Sequence, residues 1–242
     1  MVLNGGIRTA MRLPSIVTFL LLGLLGWMLW ERVGLKMWMA RHFETPGERP
    51  LDPAFLRLSP LEIVRLPLAV RFDYPMGTVH GAFTYNAQPF RISRHLGDDL
   101  NGIGGGNSDL GDPVYAAGVG QVVYAGVPGP GWGNMVIMAH RVPDLEDASQ
   151  ERVYQTVYAH LDKILTQPGK MVNRGEKIGT VGTANGQYLA HLHFEVREGP
   201  YVNPGQGYAD APLNRVSPEA FIAQRRGAPE EQMNAAPKLN LR

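Results

Sequence analysis

Cysteine is absent from the 242 residues, and so is any marked excess of charge: 23 Lys and Arg stand against 22 Asp and Glu, a formal balance of +1. The first absence excludes a disulfide scaffold, thiol catalysis, thiolate zinc sites and iron–sulfur clusters. Any metal must therefore be held by His, Asp or Glu. The second excludes nucleic acid as the main partner, because phosphate binding needs a basic excess. A His-Glu-x-x-His helix is missing too, which removes the zinc peptidases that take their base from it. What the chain does have is turn-formers, 29 Gly and 19 Pro. Both exceed average usage and favour a turn-rich β domain over a helical one.

No charge interrupts residues 13–30, and Phe19–Trp30 is almost wholly apolar. Eighteen helical residues rise about 27 Å, close to the ~30 Å hydrocarbon core. Arg8 and Arg12 precede the run, and Trp27 and Trp30 sit where an interfacial belt would lie. Residues 13–30 are thus expected to be a transmembrane anchor or signal segment. A cleaved signal needs small residues just beyond the run. The bulky, charged stretch Glu31–Trp38 follows instead and favours an uncleaved anchor in the cell envelope, with the main domain exported. Residues 1–12 read as a tail, 31–75 as a juxtamembrane linker with one short helix, 76–226 as the main domain and 227–242 as a polar tail.

In the main domain, short β-branched runs alternate with Gly and Pro turns. Strands are expected at Val114–Ala117, Gln121–Gly126, Asn134–Ala139, Val153–His160, Lys177–Gly182 and His191–Val196. Six or more strands at this spacing mean a mainly β fold, an antiparallel sandwich or open barrel. Ser217–Arg226 carries an N-cap serine followed by proline and reads as a short helix.

Alternation along 189–197 puts Ala190, Leu192, Phe194 and Val196 on one face and His191, His193, Glu195 and Arg197 on the other. Side chains two apart stand about 6–7 Å from each other at Cα, so two imidazoles can converge on one ion. Alone, such a pair is equally a solvated polar face. Two further clusters accompany it. His95 precedes Asp98 and Asp99 in a Gly-rich stretch read as a turn, and His160 ends a strand on a face shared with Tyr154, Thr156 and Tyr158. Together they supply three ligands for a zinc site and two histidines for proton transfer. The chemistry does not choose between His191 and His193, nor between Asp98 and Asp99. His42, His80 and His140 have no partner pattern and read as structural or surface residues.

His95-Leu-Gly-Asp-Asp99, Tyr158-Ala-His160-Leu161 and His191-Leu-His193-Phe-Glu-Val resemble, in order and approximate spacing, the three signatures of the lysostaphin/LytM-type zinc endopeptidases. Asp112–Gly126 and Gly131–Ile137 resemble the strands that follow the first signature. The resemblance spans roughly residues 90–200 and implies a duplicated hybrid motif with its site in a groove on an antiparallel sheet. It implies one zinc ion held by His95, Asp99 and His193, with His160 and His191 as unliganded catalytic histidines. One of these would take a proton from water, and the other, or zinc itself, would stabilise the oxyanion. The implied substrate is the stem and cross-link peptides of bacterial peptidoglycan, and no regulatory protein partner is named by it. Leu100–Gly111 is longer than the compact turn of many members and lies near the expected metal, where it would shape substrate access. Two alternatives stand beside this one. One is a non-catalytic relative that binds the wall and activates another hydrolase; such relatives have lost zinc ligands, whereas all five residues are present here. The other is a D-Ala-D-Ala carboxypeptidase, against which the Tyr-Ala-His-Leu signature and the β-rich texture argue.

Overall fold

The computed structural model describes residues 14–29, 56–77, 81 and 83–227. The expected tail 1–12, most of the linker, residues 228–242, His42 and His80 lie outside the described residues.

The N-terminal unit contributes helix α1, Pro14–Leu29, of 16 residues. At 1.5 Å per residue it is about 24 Å long. Among the described residues, no helix is long and apolar enough to cross a membrane. The expected span over 13–30 therefore appears as a shorter helix, within which Phe19, Leu21, Leu22 and Trp27 are exposed.

The second unit is mainly β. It contains β1 (Leu56–Arg57), α2 (Pro60–Arg65), β2 (Thr84–Gln88), β3 (Asp98–Gly102), β4 (Pro113–Tyr115), β5 (Gly120–Gly126), β6 (Asn134–Pro143), β7 (Glu151–Ile164), β8 (Met171–Val172), β9 (Lys177–Val181), β10 (Leu192–Glu198), β11 (Tyr201–Val202), β12 (Arg215–Val216) and α3 (Pro218–Ala223). Ten strands form one sheet in the order β2-β3-β10-β7-β6-β5-β8, with β12 on β10 and the β4–β9 pair branching from β7. The named strands pair antiparallel throughout. All six expected strands are present. Ser59 and Ser217 cap α2 and α3, each with proline in the first turn.

Both faces of the central strands are covered. Val136, Met138, Tyr158, Phe194 and Val196 join the larger core with Phe72 and Phe221, while Met135, Ile137, Val157 and Ala159 pack on the opposite face with Leu58, Leu66 and Val202. This explains the unbroken apolar run along β6, which a sheet wetted on one side would not need. Leu66, Ala69 and Phe72 fall in the stretch expected to be linker, yet they are buried in these cores. Burying side chains the size of Leu66 and Phe72 is worth about 1.5–3 kcal/mol each, so the sheet recruits the segment from Leu56 onward into the domain.

β3 was expected to be part of a Gly-rich turn. It is a strand because β2 and β10 pair with it on both sides, and that ladder outweighs the low strand propensity of two aspartates and a glycine.

His140 is structural. It is fully buried; its Nδ1 lies 2.7 Å from the Val119 carbonyl and its Nε2 lies 2.8 Å from the Thr156 hydroxyl. Burial pushes its pKa down to about 4. As pH falls below the unfolded value of about 6.5, the unfolded chain takes up a proton that the folded chain refuses, and stability is lost at roughly 1.4 kcal/mol per pH unit. Between pH 7 and pH 5, denaturant melts should show about 2 kcal/mol more destabilisation in the native chain than in His140→Gln; equal losses would contradict this role.

Candidate metal centre and groove

The site forms where β3 and β10 pair. Asp99 stands opposite His193 and Asp98 opposite Phe194. Residues directly opposed across a ladder share a face. Asp99 therefore joins His193, and Asp98 turns to the other face, where it accepts from the Phe90 N–H at 2.8 Å. His95 arrives from the 3-10 turn Ile92–Arg94. Gly97 lets that connection lie flat on β10: a Cβ there would fall 2.6 Å from the Phe194 carbonyl oxygen and 2.9 Å from His193 Cε1.

Three acceptor atoms meet. His95 Nε2 is 3.0 Å from His193 Nδ1, His193 Nδ1 is 3.0 Å from Asp99 Oδ1, and His95 Nε2 is 3.3 Å from Asp99 Oδ1. The outer ring nitrogens fix the tautomers. His95 Nδ1 lies 3.0 Å from the Gln88 carbonyl, which can only accept, so this nitrogen carries the proton in the neutral ring. His193 Nε2 lies 2.9 Å from Glu195 Oε1. Burial opposes the charge on Glu195, but Arg197 and Arg215 outweigh it and hold its carboxyl well below the usual range. Glu195 therefore accepts, and His193 Nε2 donates. In the neutral rings, both inward nitrogens then present lone pairs beside a carboxylate. Such a trio repels itself unless a cation lies among its members. A tetrahedral zinc with bonds near 2.0–2.1 Å sets its ligand atoms about 3.3 Å apart, and the observed separations fit. Among the described residues, His95, Asp99 and His193 are the group that could hold a metal ion.

The protonation tendencies agree. Burial works against charge on His193, yet its hydrogen bonds to Asp99 and Glu195 raise its pKa to about 9. For Asp99, burial raises the pKa, but the bonds to His193 and His95 bring it well below normal. The environment favours positive charge at this spot, whether proton or metal.

The face carrying His193, Glu195 and Arg197 is not solvated: all three side chains are buried. Glu195 Oε2 receives Arg197 Nε at 2.6 Å and Arg215 Nε at 3.2 Å, and Arg197 also donates to the Asn203 and Pro204 carbonyls. This chain of contacts braces the ring of His193.

His160 does not share a face with Tyr158. Tyr158 packs against Phe194 in the larger core, whereas His160 lies beside His193, ring centroids 5.5 Å apart and the rings tilted by 55°. The cause is a bulge. On β6, Asn134 pairs with Leu161 and Val136 with Tyr158, so Met135 faces two residues, Ala159 and His160. His160 takes left-handed backbone angles (φ 61°), uncommon for a non-glycine residue. The Trp132 carbonyl accepts from its backbone N–H at 2.9 Å and lies 3.2 Å from its Nδ1. His191 is arranged alike, with Nδ1 2.8 Å from the Leu189 carbonyl. In both rings Nε2 is left as the atom able to accept a proton. Burial, with His193 and His191 nearby, drives the pKa of His160 down to about 3, so it is neutral at pH 7. The rings of His160 and His191 are 4.7 Å apart, and His191 Nε2 is 3.7 Å from Asp99 Oδ1.

A cavity of about 210 Å³ opens over this cluster, walled by Trp132, Tyr188 and Tyr208. Those aromatics, and Glu195 with its two arginines as a brace, are absent from the sequence reading. The alternation that sets Glu195 and Arg197 beside His193 hints at part of the brace and at none of the aromatics. Glu195→Gln should weaken cobalt or zinc binding by roughly 10–100-fold in a competition titration, the usual cost of losing a partner behind a histidine ligand. Unchanged affinity would remove Glu195 from the site.

Comparison with known proteins gives a consistent relationship. Residues 101–204 match the description of Peptidase family M23. The chain is 38% identical over 95 residues to lipoprotein NlpD of Yersinia enterocolitica, covering 39% of this chain and 87% of that protein. It is 36% identical over 106 residues to the peptidoglycan DD-endopeptidase ShyB of Vibrio cholerae, covering 44% of this chain and 21% of that one. It is also 36% identical over 107 residues to the murein hydrolase activator NlpD of Escherichia coli, covering 41% and 25% respectively. The chain thus spans only about a fifth to a quarter of the last two relatives. With its antiparallel β domain and the three signatures brought to one site, the chain belongs to peptidase family M23.

Proposed function

We propose that the chain is a zinc-dependent endopeptidase that hydrolyses peptide cross-links of peptidoglycan in the bacterial cell envelope. The observation that carries this reading is the convergence of His95 Nε2, Asp99 Oδ1 and His193 Nδ1, with two further imidazoles beside them. His95, Asp99 and His193 act as the zinc ligands; His160 and His191 act as the catalytic histidines. When bound, zinc lowers the pKa of a ligated water from 15.7 towards about 7 and polarises a carbonyl.

The chain's own groups do the rest. The Trp132 and Leu189 carbonyls orient the rings of His160 and His191 through their Nδ1 atoms. One Nε2 takes the water proton. The other ring, when it carries a second proton as imidazolium, would donate from its Nε2 to the oxygen on which charge develops. Groups in such roles are typically worth about 10²–10⁴ in rate. Trp132, Tyr188 and Tyr208 line a trough that suits an extended peptide. ShyB, named a peptidoglycan DD-endopeptidase, supports the substrate class. Relatives named lipoproteins support an envelope location. The uncharged stretch 13–30 and the exposed apolar side chains of α1 support a membrane anchor there.

A second reading, an activator of another wall hydrolase, is favoured by the relatives named murein hydrolase activator NlpD. Two experiments separate them. Zinc-loaded chain incubated with purified cross-linked peptidoglycan should release un-cross-linked stem peptides, read by mass. Uncut muropeptides despite bound zinc would favour the activator. Among variants, His160→Ala and His191→Ala should lose at least 100-fold in activity and keep zinc, whereas His95→Ala and His193→Ala should lose both. Zinc loss in the first pair would reverse the assignment.

A further inference from the structure

The long stretch between β3 and β4 is unused by the chemistry above, yet it reaches the residue beside His191. Its ends are tied down. The Gly102 N–H donates to Asp109 Oδ2 at 3.1 Å, and Gly111 and Asp112 exchange backbone hydrogen bonds with Val181 at 2.9 Å each. Short turns close the interior: Gly105 donates to Gly102 and Ser108 to Gly105, at 3.3 and 3.1 Å. This folded loop presents Asn107 to the strand-like segment that leads into His191.

Ala190 is fully buried, and both of its backbone polar groups are met by asparagine side chains. The Ala190 N–H donates to Asn107 Oδ1 at 2.8 Å, and the Ala190 carbonyl accepts from Asn101 Nδ2 at 3.2 Å. On one side of Ala190, the Leu189 carbonyl orients the His191 ring. On the other, the His191 N–H donates to Gly182 at 3.2 Å. The preceding residues form an exposed turn, in which the Gly186 and Tyr188 N–H groups both donate to the Thr183 carbonyl at 3.1 Å. Ala184, Asn185 and Gly186 all have left-handed backbone angles, and residues 185–189 are exposed. Among the described residues, the two asparagine side chains are the hydrogen-bond partners of the Ala190 backbone.

We propose that loop 103–111 and the end of β3 together position His191, with Asn107 of the loop and Asn101 of the strand as two jaws closing on Ala190. The inference rests on the peptidase reading, in which His191 must hold its Nε2 toward the substrate water. Asn107 and Asn101 are positioning residues, since neither touches the reacting atoms. The jaws differ in chemistry. Asn107 is needed only as an acceptor, so aspartate can replace it. Asn101 is needed as a donor, so aspartate cannot, and would set a carboxylate against a carbonyl.

The test compares Asn107→Leu, Asn107→Asp and Asn101→Asp in the full zinc-loaded chain. A misplacement of about 1 Å can cost 10²-fold in rate, so kcat should fall by roughly 10–100-fold in Asn107→Leu and Asn101→Asp. KM should be little changed, because the walls of the trough are intact. Asn107→Asp should restore kcat to within about threefold of the native value. All three should keep one zinc per chain. Amide exchange of Ala190, followed by NMR, supplies a reading that does not depend on activity. It should quicken at least tenfold in Asn107→Leu and return to the native rate in Asn107→Asp. Unchanged exchange in Asn107→Leu, or equal kcat values for leucine and aspartate at position 107, would overturn the inference. If the native chain binds zinc and cleaves nothing, the peptidase reading fails, and the Ala190 exchange rates still decide whether the clamp exists.

Discussion

Three lone pairs aimed at one point cannot coexist in a buried pocket without a positive charge among them. That constraint organises the domain. Two carbonyl-type acceptors, Gln88 and Glu195, each hold the outer nitrogen of a ring and so force the inner nitrogens of His95 and His193 to be bases. The Asp99 carboxylate completes the set. Water from the cavity above could satisfy part of this arrangement, whereas a divalent cation would answer all three at once.

The sheet serves the same end. The β3–β10 ladder sets Asp99 opposite His193 by register alone. One extra residue on β7 turns His160 out of the larger core and onto the groove face, at the point where β7 leaves β10 and begins to pair with β9. A left-handed residue that is not glycine costs of order 1 kcal/mol or more and persists only where its surroundings hold it. Here the Trp132 carbonyl lies within hydrogen-bonding reach of both the backbone and the ring of His160. A regular β7 would have kept His160 beside Tyr158, away from His95, Asp99 and His193.

Much of this was legible in the residues. Alternation put His191 and His193 on one face, and the three signatures contain the five residues that the fold brings together. The six principal strands were found because each is a β-branched or apolar run closed by Gly or Pro. What could not be read has physical reasons. β3 carries Asp-Asp-Leu-Asn-Gly, whose composition speaks for a turn; only its two neighbours make it a strand. The bulge at His160 is a property of pairing, not of composition. The core role of Leu66, Ala69 and Phe72 depends on which apolar surface waits for them across the sheet. The brace behind His193 joins Glu195 to Arg215, 20 positions away, and nothing in a local pattern links them. The two asparagines on Ala190 are 83 and 89 positions from it and are invisible for the same reason.

The account stands on the claim that these three side-chain atoms are the protein's ligands to one metal ion. Anomalous diffraction at the zinc edge from crystals grown with equimolar zinc tests it directly. The account predicts one strong peak, about 2.0–2.2 Å from His95 Nε2, an Asp99 carboxylate oxygen and His193 Nδ1, with Glu195 still bonded to His193 Nε2. A peak elsewhere, no peak, or an ion bound through the opposite nitrogen of either ring would contradict it.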